Sequence, residues 1–166
     1  MSILPLVNYG AVVLRRPAEP VSAINEEVQK LIDDMAETMF AAPGAGLAAP
    51  QVGIPKRIIV LQSPEDPSGK DFLTLINPEI VSTEGKVVTE EGCLSIPEFR
   101  MEVPRAEKVV VRALDREGKP IEMEGVGLMA RVLQHEIDHL NGLLYIDRLS
   151  PAKRDVIKRK LKKSLA

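Results

Sequence analysis

Cysteine and histidine are almost missing from this 166-residue chain, which has one cysteine, Cys93, and two histidines, His135 and His139. A lone cysteine permits no intrachain disulfide, so a reducing, cytoplasmic setting is expected. No apolar stretch approaches the ~20 residues that span a bilayer, and the start, Met1 to Val7, has neither the basic flank nor the apolar run of a signal peptide. Tryptophan is absent, and 45% hydrophobic with 28% charged residues is an ordinary globular balance. Collagen-like, disulfide-scaffold and wholly disordered classes are thereby excluded. Such scarcity also narrows chemistry: a metal site built on soft or imidazole ligands has only Cys93, His135 and His139 to draw on.

The length suits one domain, 1–166, large enough to bury a core. Its formal charge of −2 hides an asymmetry. Residues 150–166 hold seven basic residues against Asp155 alone, a net +6, which leaves −8 on residues 1–149. A basic tail on an acidic body suits an anionic partner, although a solvated terminal helix has the same charge pattern.

Asn25 has the character of a helix N-cap, with Glu26 and Glu27 in the first turn and Val28, Leu31, Ile32, Met35 and Met39 at helical spacing to about Phe40. Pro43 and Gly44 end that helix, and 44–53 reads as a loop. Strands are expected at 57–62, 73–77, 80–82, 86–91 and 100–103, with an exposed turn at 64–69 and a hairpin of 108–114 and 120–124. A long helical pattern covers 125–140 and stops at Asn141-Gly142, and Ser150-Pro151 opens a last, basic helix. The expected class is α+β: short antiparallel or mixed strands around a central helix, with helices near both ends.

That central helix carries His135-Glu136-Ile137-Asp138-His139, the H-E-x-x-H pattern. Side chains at i and i+4 share one face, so both imidazoles can reach one ion, while Glu136 sits close enough to deprotonate a water on it. As a bare pattern it also fits, as the lesser reading, two hydrogen-bonded helix histidines beside a surface glutamate. The helical wheel favours a site. Leu128, Val132, His135 and His139 form one stripe, whereas Ala130, Gln134, Asp138 and Asn141 share a more polar arc opposite. Neutral histidines in an apolar stripe need partners.

A catalytic zinc-type site takes a third protein ligand and keeps a position open. The extended protease pattern would put a third histidine where Tyr145 stands, and Asp147 and Asp155 are poorly spaced for a downstream acid ligand. Cys93, in Glu91-Gly92-Cys93-Leu94-Ser95, is the better third ligand, although a single cysteine is commonly a small buried hydrophobe. Glu91 admits two readings: support for the site through a pair with Arg105, or a surface acid. Gly44-x-Gly46 is neither a dinucleotide fingerprint nor a phosphate loop, and on its own reads as a plain connection.

Taken together, Gly44-Ala45-Gly46-Leu47-Ala48-Ala49-Pro50-Gln51, Glu91-Gly92-Cys93-Leu94-Ser95 and Gln134-His135-Glu136-Ile137-Asp138-His139 resemble the three ordered motifs of the peptide deformylases. The likeness covers nearly the whole chain, including the basic C-terminal helix of bacterial-type members. It implies a hydrolase that removes the formyl group from the N-terminal methionine of new proteins and releases formate, with a metal-bound water as nucleophile. By the same likeness Cys93, His135 and His139 are metal ligands, Glu136 is the general acid/base, and the Gln51 amide and Leu94 N–H hold the formyl oxygen. Gly46 and Arg100 match positions beside the substrate, and Ala45 stands where isoleucine is common, which bears on the pocket wall. Leu128 and Val132, on the histidine face, are expected to line a slot for the methionine side chain.

The implied cofactor is one divalent ion per chain: Fe(2+) in cells, with Zn(2+), Ni(2+) or Co(2+) in purified protein, all compatible with one thiolate and two imidazoles. Expected partners are N-formylmethionyl nascent peptides and, through residues 150–166, the ribosome, with neither DNA nor a membrane. Two other readings stand beside it: a metallopeptidase using the same motif, and a non-catalytic metal-stabilised module that binds ribosome or RNA.

Overall fold

The computed structural model describes residues 2–66 and 71–165, so part of the expected 64–69 turn lies outside the described residues. Helix α1 spans Glu26–Ala41, and Asn25 caps it by accepting from the Val28 N–H at 3.0 Å. Seven strands follow: β1 (Gly46–Ala48), β2 (Ile58–Gln62), β3 (Phe72–Glu84), β4 (Val87–Cys93), β5 (Ile96–Arg105), β6 (Lys108–Leu114) and β7 (Pro120–Val126). Helices α2 (Leu128–Leu140) and α3 (Pro151–Leu165) complete the chain. The described residues form a five-stranded sheet of order β1-β2-β3-β6-β7 and a two-stranded sheet β4-β5, with every pairing antiparallel. The α+β class expected from the sequence is the class observed.

Burial explains the arrangement. Strand β2 is apolar and buried on both faces. Ile58 and Val60 join Ile32, Met35 and Met39 of α1, whereas Ile59 and Leu61 join Leu133, Ile137 and Leu140 of α2. The large sheet is therefore covered by α1 on one face and α2 on the other, as alternating strand side chains require. A third cluster holds α3 through Ile157 and Leu161 against Leu144, Tyr145, Ile146 and Leu149, together with Ile96 and Val103 of β5.

Several boundaries differ from the sequence reading. Residues 73–77 and 80–82 belong to one strand, β3, whose register against β6 shifts between Ile76 and Glu79 and again between Ile80 and Ser82. Asn77, at φ 52°, and the donor-less Pro78 sit in the first of these irregularities. The Asn77 side chain accepts from Val21 N–H at 2.8 Å and donates to Val21 O at 3.0 Å, tying down the irregular N-terminal segment. The connection 44–53 contains β1 and a 3₁₀ turn, Ala49–Val52. The helix expected from 125 begins at Leu128, because β7 runs to Val126 and Gly127, at φ 63°, makes the corner.

Candidate metal centre

Three neighbouring elements supply the site. Strand β1 and its 3₁₀ turn bring Gly46 and Gln51, the end of β4 brings Cys93, and α2 presents His135, Glu136 and His139. Helix α2 packs against β1, β2, β6 and β7, which fixes its histidine face opposite the β4 end. One atom from each of Cys93, His135 and His139 lies within 4.8 Å of the others. His139 Nε2 stands 3.2 Å from His135 Nε2 and 3.4 Å from Cys93 Sγ. In a tetrahedral site with ordinary zinc–nitrogen and zinc–sulfur bonds those separations would be about 3.4 and 3.6 Å. Two of the three separations thus suit ligands of one divalent ion, and the third pair lies within 4.8 Å.

A cavity of about 480 Å³ opens beside these donors. Ala45, Gly46, Gln51, Cys93, Leu94, Arg100, Leu128, Val132, His135 and Glu136 all line it, while His139, 1% exposed, lies behind its wall. The positions singled out in the sequence are therefore brought together. Leu128 lines the cavity from its rim and is 62% exposed. Arg100 is exposed and donates through Nε to Glu90 at 2.7 Å. Arg131, half-buried and one turn before His135, also lines the cavity and was not among the expected residues.

Gly46 has no room for a side chain: a Cβ there would lie 2.9 Å from Val132 Cγ1 and 3.0 Å from Glu136 Oε2. Gln51 is buried, its Oε1 accepting from the Ala48 N–H at 3.0 Å and its Nε2 facing Cys93 Sγ at 3.6 Å. The amide oxygen is thus committed to the backbone and its N–H₂ is turned toward the donor set.

Glu91 is resolved in favour of support. It is 9% exposed, its Oε1 lies 2.9 Å from His135 Nδ1, and Arg105 grips both of its oxygens at 2.9 and 3.0 Å. In its neutral form, with Nδ1–H donated to that carboxylate, His135 turns its Nε2 lone pair toward the donor set. Burial pushes the Glu91 carboxyl up, but the hydrogen bonds from His135 and Arg105 outweigh it and bring its pKa down to about 2. Burial likewise disfavours a charged His135 ring, yet hydrogen bonding with Cys93 and Glu91 raises it well above the usual imidazole value. His139 is held well below that value by burial and by the charges of His135 and Arg105.

Glu136 is 4% exposed, and its Oε1 has no hydrogen-bond partner among the described residues. Burial raises its pKa to about 7, against the lowering charges of His135 and Arg105. A carboxylate so placed is a proton acceptor at neutral pH.

Of the arc expected to be more polar, Ala130, Gln134 and Asp138 are buried as well, the polar groups each with a partner, whereas Asn141, just past α2, is exposed. Gln134 exchanges hydrogen bonds with the Ala106 backbone at 2.9 Å. Asp138 receives Arg105 and Arg148. Those two arginines lie far from Asp138 in sequence terms that periodicity cannot join. The available signal was Asp138 itself, a carboxylate on a buried helix, which requires a cation from elsewhere.

The polypeptide deformylase family model matches residues 3–155. A peptide deformylase of Thermodesulfovibrio yellowstonii is 52% identical over 162 residues, covering 98% of both chains. Among solved structures, a peptide deformylase from Legionella pneumophila superposes with a TM-score of 0.89 at 49% identity, over 98% of this chain and 95% of that one. A Met-Ala-Ser-bound class I type b peptide deformylase from Acinetobacter baumannii gives 0.83 at 40% identity, over 90% and 100%. A match along almost the whole length, reached independently by sequence and by fold, places the H-E-x-x-H helix and its cysteine in a known setting: the chain belongs to the polypeptide deformylase family.

Proposed function

We propose that this protein removes the formyl group from N-formylmethionyl peptides, releasing formate, with Cys93, His135 and His139 holding a divalent cation. Iron(II) is the proposed ion in cells, with zinc, nickel or cobalt able to occupy the same ligands. When bound, such an ion supplies Lewis acidity and lowers the pKa of water near it. Family membership supports the reaction, and the Met-Ala-Ser complex of the Acinetobacter baumannii relative supports a peptide in the cavity. These likenesses lend nothing to the peptidase or non-catalytic alternatives.

The chain's own residues then divide the work. Glu136 takes a proton from the attacking water and returns it to the departing amine. The Gln51 amide and the Leu94 N–H donate to the formyl oxygen as charge develops there, an effect whose loss costs on the order of 10²–10³ in turnover. Val132, Leu128, Ala45 and Gly46 border the methionine side chain, and Arg100 lies along the peptide beyond it. The observation that carries the reading is Glu136: a buried carboxylate oxygen without a partner among the described residues, on the helix that presents two imidazoles to a thiol.

Metal analysis paired with formate release from a formyl-Met peptide tests it, for the parent and for Glu136→Ala. The variant should keep its metal and lose turnover; formate release at the parent rate would remove Glu136 from the reaction, and backbone cleavage of unformylated peptides would favour a peptidase. For α3 we propose ribosome binding, in a cytoplasmic setting, through the exposed Lys158, Lys160 and Lys162. Co-sedimentation with ribosomes should weaken when these lysines become glutamates, and unchanged co-sedimentation would exclude the helix.

A further inference from the structure

Behind the donor set an unbroken chain of ionic hydrogen bonds runs from His135 to the protein surface. His135 Nδ1 meets Glu91 at 2.9 Å, and Glu91 is gripped by both Nε and Nη2 of Arg105. Arg105 Nη1 donates to Asp138 Oδ2 at 2.5 Å. Asp138 is then held from the other side by Arg148, Nη2 to Oδ1 at 2.6 Å and Nε to Oδ2 at 3.0 Å. The side chains of Glu91, Arg105 and Asp138 are at most 10% exposed, whereas that of Arg148 is 45% exposed. Arg148 therefore closes the outer end of a buried network.

Its backbone is well anchored for that task. Arg148 ends the 3₁₀ turn Tyr145–Arg148, in which Asp147 accepts from the Leu144 N–H at 2.8 Å and pairs with Arg15. Tyr145 of the same turn stacks on the His135 ring, with centroids 6.4 Å apart and planes 21° apart, and its hydroxyl donates to Phe99 O. One short turn thus touches His135 twice, directly through a ring and indirectly through four charges. A second cavity, of about 390 Å³, is lined by Arg105, Asp138 and Arg148 and shares no lining residue with the first. Without the Arg148 guanidinium, water from that cavity would reach Asp138 Oδ1, whose partner among the described residues is Arg148.

We infer that Arg148 is a positioning residue: through Asp138, Arg105 and Glu91 it fixes the orientation of His135 and so slows loss of the metal. This rests on the reading of His135 as a ligand. Partners one step outside a ligand typically change metal affinity or activity 10–100-fold. Arg148 stands further out and shares Asp138 with Arg105, so a smaller effect, about 3–10-fold, is expected.

Cobalt(II)-loaded protein tests the inference. Arg148→Met should release cobalt to a chelator about 3–10-fold faster, shift the visible absorption of the bound cobalt, and lower kcat for a formyl-Met peptide with KM unchanged. Arg148→Lys, which keeps the charge but not the paired hydrogen bonds, should fall between. Arg112→Met, which removes an exposed pair with Glu122, should move none of these readouts. Cobalt release and absorption equal to the parent in Arg148→Met overturn the inference, whatever the melting temperature does; should that variant not fold, the same equality in Arg148→Lys overturns it. A parent chain that takes up no cobalt would sink both this inference and the proposed ligand set, whereas a parent that loads normally isolates the result to Arg148.

Discussion

Gly46 and Glu136 meet at the cavity wall with no room for a side chain between them: a Cβ on Gly46 would sit 3.0 Å from both Cγ and Oε2 of the glutamate. The side chain yields more easily than the strand, since Gly46 is buried in β1 pairing with Leu61, whereas Glu136 meets it through rotatable side-chain atoms. Gly46→Ala should therefore displace the carboxylate rather than the strand. Misplacing a reacting group by about 1 Å can cost 10²-fold, so kcat/KM for a formyl-Met peptide should fall about 10–100-fold while metal content and secondary structure persist. Parent-like kinetics in Gly46→Ala would mean that the carboxylate's position is not critical.

Gln51 makes two contacts with opposite ends of one amide, and substitution can separate them. Gln51→Ala loses both the Ala48 contact and the group facing Cys93, whereas Gln51→Glu keeps an oxygen for the Ala48 N–H but removes the amide donor. Both variants should lose on the order of 10²–10³ in kcat if the donor is what matters. If Gln51→Glu retains turnover while Gln51→Ala does not, the residue holds the loop and gives nothing to the formyl oxygen. Formate-release kinetics distinguish the two.

The legible parts of this protein were those written in short-range periodicity and scarcity. Asn25 with two following glutamates marked the start of α1, the 108–114 and 120–124 hairpin appeared where expected within β6 and β7, and one cysteine with two histidines left few choices for a soft metal site. What escaped depends on contacts distant in sequence. Strand β1 is three residues long, too short for alternation to show, and exists because Leu47 and its neighbours pair with β2. The sequence reading split 73–77 from 80–82, yet β3 runs through Pro78 by shifting register. Glu91 could be read either way until Arg105 was seen to hold it. Arg148 carried no sequence signal of its own, because its partner is Asp138, ten residues away across a turn.

Asp34 should give the N-terminal segment a pH-dependent stability. Its carboxylate is 4% exposed, accepts from the Ser2 N–H at 2.7 Å and pairs with Lys30 at 3.3 Å. The Ser2 hydrogen bond lowers its pKa, burial opposes, and Lys30 lowers it further, leaving it below the ordinary carboxylate value. A folded-state pKa below the unfolded one stabilises the fold above the unfolded value, about 4, and that stabilisation disappears as pH falls through the folded value. Asp34→Asn should thus melt at a lower temperature than the parent near neutral pH, with the gap closing below about pH 4. A gap that stays constant from neutral to acid pH would show that charge on Asp34 is irrelevant.

Helix α3 should split by face. Ile157 and Leu161, 3% and 4% exposed, are packed in the cluster that contains Tyr145, the residue stacked on His135. Truncating a buried aliphatic side chain typically costs 2–5 kcal/mol, and the small end of that range, about 2 kcal/mol, is expected for Leu161 near a helix end. The lysines at 158, 160 and 162 are exposed, and single changes at such positions usually stay within ~0.5 kcal/mol. Deleting everything after Ser150 would therefore confuse two effects, loss of charge and loss of packing against Leu144, Tyr145, Ile146 and Leu149. Urea unfolding of Leu161→Ala against Lys162→Glu separates them: the first should lower the midpoint and speed metal loss, the second should do neither. Equal effects of the two substitutions would mean that the buried face of α3 contributes no more to the fold than its charged one.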